Sequence, residues 1–126
     1  MLDDDYWGSV VSEFTLIDEL NATALDGIED FSHLESIFYF DKVSDEKIQY
    51  GTKHPQNNQQ YPKVGIFAQR GKNRPNKLGA TSVEFIKRNG KTLIVKGVDD
   101  IDGTPVTDIK PVMRKFLPLT GVKQPL

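Results

Sequence analysis

Asn89-Gly90 separates two β-rich runs, Leu78 to Ile86 and Thr92 to Val98. A type I′ turn requires positive φ at both central residues, and Asn-Gly adopts it readily, so the two runs are predicted to fold back on each other as an antiparallel hairpin. Within the first run Val83 and Phe85 fall on one face and Glu84 on the other, the alternation of a half-buried strand. In a hairpin the ends opposite the turn lie side by side. The loops Arg70 to Leu78 and Asp99 to Thr104 are therefore expected to be neighbours.

Further β signals flank the hairpin. Val10 to Ile17 alternates loosely, Ser36 to Phe40 is an aromatic run expected to be deeply buried, Val64 to Ala68 is apolar, and Val106 to Ile109 is a further short strand. Leu20 to Ile28 reads as a short helix capped by Asn21 and kept short by Gly27. Ser44 to Pro62 is polar, aperiodic and longer than most loops, so it is expected to be mobile or functional. The expected fold class is all-β: one compact, mainly antiparallel, barrel-like domain over residues 1–126 with one short helix and an irregular tail at 117–126. A chain of this length can bury about two-thirds of its unfolded surface in one modest core.

Composition removes several chemistries. There is no cysteine, which excludes disulfides, thiolate metal sites and cysteine nucleophiles, and the two histidines, His33 and His54, are too few for a histidine-rich metal cluster. No apolar run approaches the length of a membrane span and no signal peptide is recognisable at Met1, so no membrane partner is expected. A reducing, cytoplasmic setting suits such a chain. A phosphate-binding loop fails on spacing, because five residues rather than four separate Gly65 from Gly71-Lys72, and Asn73 stands where a magnesium-binding hydroxyl belongs. No GxGxxG follows any strand, and Ser32-His33 alone cannot make a catalytic triad.

Charge is strongly polarised. Residues 1–46 carry 13 acids and one base, Lys42; residues 47–83 carry no acid and seven bases; residues 84–126 carry five acids and eight bases. Either the oppositely charged regions attract each other across the fold, or the acid-free window faces phosphate-bearing partners. Arg70 and Arg74 can offer planar donors to a phosphate or carboxylate, while Asp99, Asp100 and Asp102 can accept from ribose hydroxyls or an ammonium. The same residues could instead form an ion-pair cluster that closes one end of the barrel.

Three ordered blocks add a resemblance. Gly65-Ile66-Phe67-Ala68-Gln69-Arg70 with Arg74-Pro75-Asn76 and Leu78-Gly79, then Asp102 to Pro111, and Phe31-Ser32-His33-Leu34 resemble the signature blocks of the TsaA-like family of tRNA methyltransferases, a likeness running from about Trp7 to Val112. The resemblance implies a β-barrel, usually a homodimer, that binds S-adenosyl-L-methionine without a Rossmann fold and methylates N6 of threonylcarbamoyladenosine beside the anticodon of tRNA. It places cofactor contacts on Arg70, on Ala80, on Gly97, Val98 and Asp99, and on Asp102, Gly103, Thr104 and Pro105. Asp102 and Asp108 become candidates for the general base by position, and Lys72, Arg74, Asn76 and Lys77 candidates for RNA contacts.

The family's usual first strand and a cofactor loop are expected upstream of Met1, and Asp41-Lys42 stand where the family's tRNA enzyme has His and a polar neighbour. The alternative reading is a non-enzymatic or regulatory module that binds a nucleotide or RNA. No metal is expected.

Overall fold

A computed structural model describes residues 10–54, 63–97 and 104–125. Among the described residues there are seven strands: β1 (Val11–Thr15), β2 (His33–Tyr39), β3 (Thr52–Lys53), β4 (Val64–Gly65), β5 (Leu78–Asn89), β6 (Thr92–Lys96) and β7 (Val106–Pro111). Five of them form one sheet in the order β1-β6-β5-β2-β7, and β3 pairs with β4 separately. The all-β class expected from the alternating runs is therefore what the chain adopts. The sheet is not closed, however. Closure would require its terminal strands to pair, whereas β1 and β7 occupy the two edges, which corrects the expected barrel.

The chain divides into two units, one made of residues 1–35, 82–99 and 109–126, the other of 36–81 and 100–108. In the first, β1 runs antiparallel to β6, with Phe14 opposite Leu93, and Phe14, Leu25, Leu34, Val83, Leu93 and Val95 are buried. Burial of such side chains contributes roughly 1.5–3 kcal/mol each. The β5–β6 hairpin is present, but its turn differs from the sequence expectation. Asn89 pairs with Thr92, so Gly90 and Lys91 are the central residues, and of the two only Gly90 has positive φ, at 60°. That is the requirement of a type II′ turn, with glycine first, rather than of type I′. A bulge at Ile86 shifts the register between Phe85 and Lys87, and it lets β5 extend through Asn89 rather than stopping at Ile86.

The predicted helix over Leu20 to Ile28 is replaced by two 3₁₀ turns, Ala22–Leu25 and Ile28–Asp30. Gly27, with φ of 90°, breaks the segment between them, and a run this short cannot offset the cost of helix nucleation. Asn21 occupies the cap position without a side-chain cap bond. Arg88 ties this corner to the hairpin, donating from its guanidinium to the carbonyls of Ala22 (2.6 Å) and Gly90 (2.9 Å) and to Asp26 Oδ1 (3.2 Å).

In the second unit Ser36, Phe38, Ile48 and Ile66 are buried. Ser36 is a polar residue in this core, and its hydroxyl donates to the Thr81 carbonyl at 3.1 Å. The strand expected over Val64 to Ala68 ends at Gly65 and curls into a 3₁₀ turn, Ile66–Ala68. Its partner β3 is two residues long, and beyond it the Ile66 N–H still reaches the Gly51 carbonyl at 2.8 Å as the turn begins. The turn buries Ile66 and leaves Phe67 77% exposed. Ser44 to His54 contains a 3₁₀ turn, Asp45–Lys47, and β3, so part of the long polar segment is built structure.

Candidate functional site

The cationic loop between β4 and β5 is held in shape by its own polar groups. Asn76 Oδ1 accepts the Leu78 N–H at 3.1 Å, an Asx turn, and Lys77 takes a left-handed backbone (φ 58°) with its N–H bonded to the Arg74 carbonyl. Arg74 donates to the Gln69 carbonyl at 2.6 Å and the Gly71 carbonyl at 3.4 Å, and its guanidinium lies 5.7 Å from the centre of the Phe67 ring. Lys77 pairs with Asp45 at 2.8 Å. The hydrogen bond and charge of Lys77 hold the Asp45 carboxyl below its ordinary value, and Asp45 in turn raises the Lys77 ammonium.

This loop walls a cleft of about 410 Å³, within the range of roughly 300–1,000 Å³ seen for small-molecule sites. Ile37, Phe67 and Leu78 line it with apolar surface, and Arg70, Arg74 and Gln69 bring polar groups to it. Arg70 donates to the Ala80 carbonyl at 2.8 Å, so these two residues, 10 apart in sequence, meet in the cleft wall. Gly79 lies between them in the same wall for a steric reason. A Cβ there would sit 2.5 and 2.7 Å from the Phe40 ring. The cleft can take a flat apolar group against Phe67 and Leu78 and an anionic group at Arg70.

The remaining sequence candidates are distributed as follows. Thr104 lines a second, smaller cleft with Lys72 and Asn73. The Pro105 carbonyl accepts the Tyr39 N–H at 3.0 Å. Gly97, with φ of 100°, ends β6 and donates its N–H to the Val10 carbonyl. Asp108 is exposed on β7. Val98, Asp99, Asp100, Asp102 and Gly103 lie outside the described residues.

Arg74, Asn76 and Lys77, chosen as RNA contacts, each have a partner within the second unit, whereas Lys72 is exposed. His33 joins Ser32 through a 2.7 Å contact at its Nδ1. Sequence reasoning missed Ile37 and Phe67 as cleft walls. The curl after Gly65 turns Phe67 outward, and no periodicity in the run itself marks it. Among the described residues no group of side chains could hold a metal ion, and no helix is long and apolar enough to cross a membrane.

Comparison with known proteins agrees with this architecture. Residues 5–116 match the tRNA-methyltransferase O N-terminal domain. A probable S-adenosyl-L-methionine-binding protein of Archaeoglobus fulgidus is 38% identical over 87 residues, 69% of this chain and 22% of that protein. The human tRNA (adenine(37)-N6)-methyltransferase is 35% identical over 103 residues, 82% of this chain and 23% of that protein. The crystal structure of TrmO from Pseudomonas aeruginosa superposes with a TM-score of 0.71 at 26% identity, covering 92% of this chain and 48% of that one. The chain thus spans between about a fifth and a half of the length of these relatives. With most of its length matched, the chain belongs to the tRNA-methyltransferase O N-terminal domain family.

Proposed function

We propose that this chain carries the cofactor-binding part of an S-adenosyl-L-methionine-dependent tRNA methyltransferase that acts on N6 of threonylcarbamoyladenosine beside the anticodon. The observation that carries the reading is the 410 Å³ cleft in which Arg70 is fixed against the Ala80 carbonyl, in a chain of this family. The residues fit the cofactor's chemistry. Arg70 would take its carboxylate, and Phe67 and Leu78 would take its apolar ring face. When bound, S-adenosyl-L-methionine supplies an electrophilic methyl group on a sulfonium.

The protein's part is mainly positioning. An in-line approach of the target nitrogen supplies much of the rate once both groups are held. Arg74, braced by Gln69 and Phe67, shapes the cleft mouth and offers positive potential to the anticodon phosphates together with Lys72, and Asn76 and Lys77 complete the proposed RNA contacts. The target nitrogen carries a carbonyl substituent and must lose its proton, for which Asp108 or Asp102 is the proposed base. Gly97 to Asp99 and Asp102 to Pro105 complete the proposed cofactor contacts. An anticodon-loop base is already unpaired, so presenting it costs little. A homodimer in the cytoplasm belongs to the same reading; the two edge strands β1 and β7 are surfaces a second copy can pair with.

The test is transfer of a labelled methyl group to tRNA bearing the threonylcarbamoyl group, with tRNA lacking it as control. Transfer to the modified tRNA alone is expected, and transfer to neither refutes the reading. Arg70→Ala is expected to weaken cofactor binding by calorimetry about ten- to a hundredfold, the loss of one charge-assisted hydrogen bond of roughly 1.5–3 kcal/mol. Unchanged affinity would remove Arg70 from the site.

A further inference from the structure

We propose that the second, smaller cleft is a phosphate-binding subsite for single-stranded RNA, built from Lys42, Lys47 and Lys72. The proposal rests on the tRNA reading above and adds to it a specific place where the nucleic acid is gripped. The cleft measures about 150 Å³, below the roughly 300–1,000 Å³ of sites that enclose a whole small molecule. It suits a phosphate and its sugar on a chain that otherwise runs along the surface.

Its charge is strongly one-sided. Three lysines line it against one carboxylate, Asp41. Among the described residues no ion pair engages Lys42, Lys47 or Lys72. Of the two acids in the same 3₁₀ turn as Lys47, Asp45 is bound to Lys77 at 2.8 Å and Glu46 does not line the cleft. The lining thus keeps an excess of two positive charges for a ligand.

The neutral groups suit a phosphodiester as well. The Ser44 hydroxyl accepts the Glu46 N–H at 3.2 Å, which leaves its own hydrogen to donate into the cleft. Phe40 adds an aromatic wall on which a base can stack. Lys42 comes from the acidic first third of the sequence and Lys72 from the acid-free window, so only the fold unites them.

The experiment follows binding of the full chain to an anticodon stem-loop RNA by fluorescence anisotropy across a salt series. Each single-strand phosphate contact contributes about 0.7 to the slope of log affinity against log salt, so Lys42→Gln/Lys47→Gln/Lys72→Gln is expected to flatten the slope by about 2. Lys87→Gln/Lys115→Gln/Lys123→Gln, equal in charge change, is expected to alter it by less than about 0.7.

Equal effects of the two triple variants would overturn the proposal, since net charge alone would explain them. So would a cleft variant that loses S-adenosyl-L-methionine binding while its salt slope stays at the wild-type value, or a wild-type chain that binds a polyglutamate peptide as tightly as the RNA. A flattened slope without any methyl transfer would refute the enzymatic reading and keep the subsite. Methyl transfer with an unchanged slope would do the reverse.

Discussion

Gly79→Ala tests the packing on which both clefts depend. The added methyl would lie 2.5 Å from Phe40 Cε2 and 2.7 Å from Cζ, whereas carbon atoms settle at about 3.5–4.0 Å, so the ring must retreat by roughly 1 Å. Retreat is resisted on two sides. The Phe40 N–H is bonded to the Lys77 carbonyl at 2.8 Å, and the ring stacks on that of Phe38, centroids 6.5 Å apart, which is itself buried. Overpacking of this kind costs about 1–3 kcal/mol. Unfolding entropy of about 2.1 cal/mol/K per residue gives about 0.26 kcal/mol/K for 126 residues, so Tm should fall by roughly 4–11 °C.

Calorimetric melting of Gly79→Ala, Phe40→Ala and the double variant measures this directly. In the Phe40→Ala background the Gly79→Ala penalty should shrink to within about 0.5 kcal/mol, because the clashing atoms are gone. A Gly79→Ala melt within about 1 °C of wild type, or a full penalty that persists without Phe40, would refute the steric account.

Arg88→Ala removes the guanidinium, 15% exposed, that ties the 3₁₀ corner to the hairpin through three acceptors. A loss of about 2–3 kcal/mol in denaturant unfolding is expected, with little rescue by Arg88→Lys, because one ammonium cannot span the fork. Asp45→Asn tests the pair with Lys77. The folded-state carboxyl is held below its ordinary value, so its contribution is fully present above the ordinary carboxylate range and fades as pH falls through the lowered value. The raised Lys77 ammonium keeps the pair intact until pH rises through its folded value, above the ordinary lysine range. The midpoint difference between wild type and variant should therefore be steady from about pH 5 to 10 and vanish toward pH 2; a difference that persists there would show that the pair is not its source.

What sequence alone determined is local. Alternation marked β1 and β5, aromatic content marked part of β2, and the Asn-Gly pair announced the β5–β6 reversal, because period and turn chemistry act over a few residues. The cationic loop and the Leu78-Gly79 pair were legible for the same reason, and the family blocks pointed to Arg70, which lines the 410 Å³ cleft. The tertiary structure decided what depends on partners distant in the chain. It shifted the turn to Gly90-Lys91 to suit the β5–β6 register, ended the Val64 strand at Gly65 in a 3₁₀ turn, and left the sheet open with β1 and β7 at its edges.

It also drew Arg74 and Lys77 to partners within the second unit and gathered Lys42, Lys47 and Lys72 around one cleft. Charge counted along a sequence shows how much positive potential a chain has. Which cations remain available to a ligand follows from the neutralising pairs, and those form only when the fold brings distant residues within hydrogen-bonding reach.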